Sequence, residues 1–177
     1  MRYDSQFIDA CIKGLPLPGS TTAKGMRLQE LVDYVVGGLE GARVYDRNTH
    51  NAAQSQEVDL WLQHDRRISG LPFADLLVPI ECKNEKTPAS SAEVSRLETK
   101  VRDSGGSDGL LVARSGLAGP TLDKSAHDAI HVALSHGIRI IVITGDDLNR
   151  IRDSSDLRDL LVVRYVELRL EGTYRTI

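Results

Sequence analysis

Four side chains could do chemistry together: Asp59, Glu81, Lys83 and, further upstream, Glu30. In Gln56-Glu57-Val58-Asp59-Leu60-Trp61-Leu62, Val58, Leu60 and Leu62 fall on one face, and Glu57, Asp59 and Trp61 on the other. In Leu76-Leu77-Val78-Pro79-Ile80-Glu81-Cys82-Lys83, Leu76, Val78, Ile80 and Cys82 share one face, and Leu77, Pro79, Glu81 and Lys83 the other. Period two is the strand period. Glu81 and Lys83 then lie roughly 6–7 Å apart along one strand, on one side of it. On neighbouring strands, Asp59 and Glu81 can supply two carboxylates to a hard, hydrated cation such as Mg²⁺, which takes few protein ligands and completes its shell with water and substrate oxygens. The Cys82 carbonyl is a candidate third ligand. Lys83 could orient a water, act as its base, or neutralise charge on a phosphate. These are the parts that metal-assisted phosphodiester hydrolysis requires. Glu30 could add a carboxylate or hold a metal-bound water.

The rest of the chain must position these groups. Residues 4–13 read as a short helix, with Asp4 or Ser5 as cap and Phe7, Ile8, Cys11 and Ile12 as its apolar stripe. Gly14 to Gly19 breaks it. Ser20, Thr21 or Thr22 opens a helix to about Leu39, which carries Glu30 and the stripe Leu31, Val32, Val35, Val36 and Leu39. A short strand spans 42–45, and 46–55 reads as polar loop. After the two central strands, Ser90 or Ser91 caps a helix to about Asp103, with Glu93 placed as a capping-box partner. A buried strand over 108–113, a small-residue loop over 115–120, a helix over 123–135, an apolar strand over 138–143 and a helix over about 157–170 complete the chain. Three sequential strands suggest a meander, and the later strand–helix–strand unit a parallel extension. The expected fold class is therefore α/β, a mixed central sheet with helices on both faces.

These residues resemble a known family. Asp59 followed by Glu81-Cys82-Lys83 is similar to the D…(D/E)xK signature of the PD-(D/E)xK nuclease superfamily, and the element order resembles its αβββαβ core. Val58 stands where the eponymous Pro would precede Asp59. Lys24-Gly25…Glu30-Leu31, the strand Gly109–Ala113, the helix with Ala126 and Ala129, and Ile138–Ile143 followed by Thr144-Gly145-Asp146-Asp147-Leu148 resemble the Mrr-like restriction endonuclease branch. The resemblance covers roughly residues 24–150. It implies a restriction-endonuclease-like domain over 23–152, preceded by a helix and connector over 1–22 and followed by a C-terminal helix over 153–177 on the same domain. It further implies Asp59, Glu81, Lys83 and Glu30 as catalytic residues, Asp59, Glu81 and Cys82 around Mg²⁺ (or Mn²⁺), and DNA as substrate. A role in restriction or defence follows from the same resemblance, although repair and recombination enzymes share this core.

Composition narrows the partners. The chain has 177 residues and a net charge of −3, so no bulk basic signal marks it as a non-specific nucleic-acid coater. His64-Asp65-Arg66-Arg67 is a local basic spot in a loop expected over 63–74. The two cysteines, Cys11 and Cys82, are far apart, which fits a reducing cytoplasm. No apolar run has membrane-spanning length, so no membrane partner is expected. With no separate recognition domain evident, a homodimer or a partner subunit is expected to help choose the target, and Val162 and Val163 lie off the main stripe of the last helix. Two competing readings remain. His127 and His131, with His136 as a loose third, have helical zinc spacing but carry Asp128 where zinc proteases carry Glu. A non-catalytic module could also keep the fold and bind nucleic acid or a partner protein.

Overall fold

The computed structural model describes residues 1–15, 21–50, 57–119 and 125–173. The expected connector residues 16–19, the Ser20 cap, the end of the 46–55 loop and the start of the helix at 123 lie outside the described residues, as do the side chains of Thr21, Thr22 and Lys24. Two helices, α1 (Ser5–Gly14) and α2 (Thr21–Gly37), precede β1 (Ala42–His50) and β2 (Glu57–His64). A one-turn helix, α3 (Arg66–Ser69), leads to β3 (Leu77–Lys83), α4 (Ser91–Asp103), β4 (Asp108–Ala113), α5 (Ala126–Ser135), β5 (Arg139–Thr144), the short α6 (Gly145–Leu148) and α7 (Ser154–Glu171).

The five strands form one sheet in the order β1-β2-β3-β4-β5. The first three pair antiparallel, and β3, β4 and β5 pair parallel. This is the expected meander with a parallel extension, because α4 and α5 are each long enough to cross back over the sheet. Helices α1, α2 and α7 pack with one another or on the sheet, while α4 and α5 pack together against β3, β4 and β5. One hydrophobic core takes in residues from Tyr3 to Leu168. No described helix is long and apolar enough to cross a membrane.

Local signals explain most boundaries. Asp4 accepts hydrogen bonds from the Gln6 and Phe7 amides and opens α1. Capping boxes open α4 (Ser90 with Glu93), α5 (Ser125 with Asp128) and α7 (Asp153 with Asp156). Gly109 lets α4 approach the sheet, since a Cβ there would stand 2.8 Å from the Val101 side chain.

The structure departs from the expected elements in three places. Strand β1 continues to His50, because a bulge at Tyr45 re-registers it and its outer face tolerates Asp46 and Arg47 at a sheet edge. Strand β2 continues to His64, so His64 is not part of a basic loop. It is buried, with Nδ1 on the Ser69 hydroxyl and Nε2 on the Asp75 carbonyl. Arg66 and Arg67 lie exposed on α3, which Asp65 caps. Finally, Thr144 and Asp147 form a capping box that starts α6 directly after β5.

Candidate functional site

Strand pairing brings Asp59 and Glu81 together. Leu60 pairs with Ile80 and Leu62 with Val78, so one further step sets Asp59 opposite Glu81. The ladder stops there. The Cys82 amide donates instead to Asp59 Oδ2, at 2.7 Å. The side chains of Val58, Leu60, Val78 and Ile80 are buried, as the period-two reading expects. The carboxylates thus stand on the opposite face, where the two strands end their pairing.

Both carboxyl groups are disfavoured as anions. Burial raises Asp59 above the ordinary Asp range, partly offset by the Cys82 amide and the Lys100 charge. Burial also raises Glu81, and the neighbouring Asp59 charge adds to this, bringing Glu81 to about 7. The Cys82 thiol is pushed well up by burial and by both carboxylates. Two crowded carboxyl groups that resist ionisation are relieved by a cation placed between them.

Lys100, from α4, ion-pairs with Glu81. Its side chain is largely buried, so the sheet face that carries Glu81 is closed on this side by α4. Lys83 is turned elsewhere. Its ammonium pairs with Glu93, the capping-box residue of α4, and lies 3.6 Å from Glu85. The Lys83 ammonium and the Ser90 hydrogen bonds hold Glu93 below the ordinary Glu range, against the upward push of its partial burial. Strand β3 and helix α4 are therefore joined by two ion pairs, Glu81–Lys100 and Lys83–Glu93. Glu93 and Lys100 are seven residues apart, two helical turns, and so share a face of α4.

The structure does not place Glu30 with the other candidates. Glu30 is exposed, and its charge acts on Cys11 of α1. The neighbouring Gln29 points inward instead. Its side chain hydrogen-bonds Asp59 and donates to Asn48 Oδ1 at 3.2 Å. Sequence reasoning missed both Gln29 and Lys100. The one available signal for Lys100 was its position two turns after Glu93, on the face that a β3–α4 crossover must lay over the sheet.

The charged corner opens into a cleft of about 570 Å³. It lies at the carboxyl ends of β3 and β4, the position at which parallel sheets commonly bind ligands. Its walls carry Lys83, Lys86, Arg96, Lys100 and Arg114 against Glu81, Glu85 and Glu93. Glu81 and Glu93 are matched by Lys100 and Lys83, which leaves Lys86, Arg96 and Arg114 against Glu85 alone, so positive charge is in excess. Arg114 is held by its own fold. Its Nη1 donates to Asn84 Oδ1, and Gly145 approaches its carbonyl so closely that a Cβ would stand 2.7 Å away. The loop over 115–119 is tied to this rim. Ala89 exchanges hydrogen bonds with Gly116 and Ala118, and the Ser115 hydroxyl donates to the Glu85 carbonyl.

The donor set fits a hard divalent cation held in part. Asp59 and Glu81 offer carboxylate oxygens, and strand geometry turns the Cys82 carbonyl the same way as its amide, toward Asp59. Among the described residues no group of three or more His, Cys, Asp or Glu side chains could hold a metal ion. The described residues thus build no closed cage. A site completed by water and substrate, as Mg²⁺ prefers, remains compatible with these residues.

The histidine competitor dissolves into separate contacts. His127 Nδ1 meets the Thr173 hydroxyl at 2.7 Å, the exposed His131 ring abuts Gly172, and His136 Nδ1 meets Glu98 at 2.8 Å. No protein-family model matches the chain, and no curated protein matches it either.

Proposed function

We propose that the protein is a metal-dependent nuclease of the PD-(D/E)xK type, close to the Mrr-like branch, that hydrolyses DNA phosphodiester bonds. One observation carries this reading: two carboxyl groups, both raised by burial, are crowded side by side, and one of them, Glu81, lines a cation-rich cleft. Asp59, Glu81 and the Cys82 carbonyl would hold Mg²⁺ or Mn²⁺, which when bound supplies an activated water and neutralises developing charge. Gln29 fixes Asp59 by hydrogen bonding, and Lys100 fixes Glu81 by ion pairing. Lys86, Arg96 and Arg114 attract the phosphates on either side of the reacting bond. Lys83, beside Glu81 on the strand, neutralises phosphate charge once Glu93 releases it.

That engagement of Lys83 by Glu93 is also the observation that favours the second reading, a non-catalytic module that binds nucleic acid. Supercoiled plasmid separates the two. The nuclease nicks it with Mg²⁺ or Mn²⁺, not with EDTA, and loses this in Asp59→Asn and Glu81→Gln. A binding module retains its affinity for the plasmid in EDTA and leaves it intact under every condition.

A further inference from the structure

Helix α7 is apolar on two opposite faces. Leu157, Leu161 and Leu168 turn into the core, and Arg164 on the same side is fixed by Asp147. On the far side Val162, Val163, Val166 and Leu170 are 38%, 49%, 47% and 78% exposed. At 100° per residue these four fall within one stripe, together with Asp159 and Arg169. Both of these charges are exposed, and neither forms a salt bridge among the described residues.

We infer that this stripe binds a second copy of the same chain, with the two α7 helices antiparallel across a twofold axis level with residue 164. The sequence is self-complementary about that point. Val162 then stands opposite Val166 of the second copy, and Asp159 opposite Arg169 of the second copy. A twofold axis makes every contact twice, so one apolar strip and one charge pair per helix give a closed interface. Asp159 and Arg169 are ten residues apart, about 15 Å along the helix. The valines lie between them, and small side chains permit the 8–10 Å axial separation of packed helices. The two charge pairs bracket the apolar centre and fix its register and direction, as flanking charges do in coiled coils. A parallel pair would set Asp159 against Asp159 and Arg169 against Arg169. The charges thus select the antiparallel twofold arrangement, and with it a second copy rather than an unrelated helix. A single helix pair lies at the small end of protein interfaces, so association belongs in the micromolar range.

Sedimentation equilibrium on the full chain over a concentration series tests this. The wild type is expected to dimerise, with Val166→Glu weakening association by about tenfold or more. Asp159→Arg alone sets Arg against Arg at both ends and weakens it as well. Adding Arg169→Asp to Asp159→Arg re-forms both pairs with reversed polarity and restores the dimer. That rescue also answers the concern that a single variant simply misfolds, and circular dichroism of each variant checks its fold directly. A wild type that stays monomeric up to about 100 µM overturns the inference. So does a dimer indifferent to Val166→Glu and to the charge reversal, because its interface then lies elsewhere.

Discussion

Asp147 and Asp59 are both carboxylates withdrawn from most solvent, yet their surroundings are opposites. Asp147 receives two hydrogen bonds from Arg164 at 2.7 and 2.9 Å, while Thr144 supplies its amide and hydroxyl. Asp108 is equally well served, by Arg139 at 2.6 Å and by the Ala74 and Asp75 amides. In these clamps each carboxylate meets donors, and the fold gains a joint: α7 to α6 in one case, β5 and the loop before β3 to β4 in the other. Asp59 also accepts from the Cys82 amide, but it faces another carboxyl group, Glu81, with one lysine reaching the pair and an open cleft beside Glu81. Buried charge alone therefore does not mark a site. Buried charge left mismatched next to open space does, because the fold bears a cost that a bound ligand can relieve.

The sharpest way to break this contrast is by mutation on each side of it. Arg164→Met leaves Asp147 buried without its partner and should lower stability by about 3–5 kcal/mol in urea titration, with cleft function intact in the protein that remains folded. Glu81→Gln should do the reverse. Stability holds or rises, because one of two repelling groups is gone, and metal-dependent cleavage falls by about a thousandfold, about 4 kcal/mol of transition-state stabilisation. If both variants lost stability alike, the two regions would be the same kind of structure.

Divalent metal provides a second test. A cation that binds Asp59 and Glu81 only in the folded chain should stabilise it by about 2.7 kcal/mol at a hundredfold excess over Kd. The gain, read as a shift in urea midpoint with Mn²⁺, should vanish in Asp59→Asn. Equal gains in both proteins would move the metal elsewhere.

The pH dependence has a definite sign. Glu81 binds its proton more tightly in the folded chain, at about 7, than at its ordinary value of 4.5. The associated stabilisation is complete below pH 4.5 and is lost as pH rises through about 7. Stability of the metal-free wild type should therefore decline across that window more than that of Glu81→Gln. Glu93, held low by Lys83 and Ser90, works the other way. Its contribution is present above its ordinary value and is lost as pH falls through its lowered one.

The smallest expected effect concerns the cleft rim. Arg96→Ala or Lys86→Ala should leave stability within about 0.5 kcal/mol while reducing the salt dependence of DNA binding by about one unit of slope each. An unchanged slope would remove these cations from the DNA path.

Much of the fold was legible in local pattern. The alternation around Val58–Leu62 and Val78–Cys82 announced two strands with Asp59 and Glu81 on one face, and the antiparallel register of the structure sets the two opposite each other. Ser90 with Glu93 marked the start of α4, and the twin valines of the last helix announced its second apolar face. These features depend on neighbours within a few residues, where period and capping chemistry act directly.

What lay beyond local pattern was decided by the packing of α4 and α2 against the sheet. Nothing in Glu81-Cys82-Lys83 says that Lys83 turns to Glu93 while Lys100 reaches Glu81, because that exchange depends on how α4 crosses β3. Helical phase could not choose between Gln29 and Glu30 until α2 was docked. The docking turned Gln29 to Asp59 and left Glu30 exposed, acting on Cys11. His64 looked like part of a basic loop until β2 ran on and buried it. The sequence by itself determined which residues could alternate, cap and carry charge. The tertiary structure decided which charges meet, because ion pairing acts over a few ångströms and those ångströms are set by residues far apart in the chain.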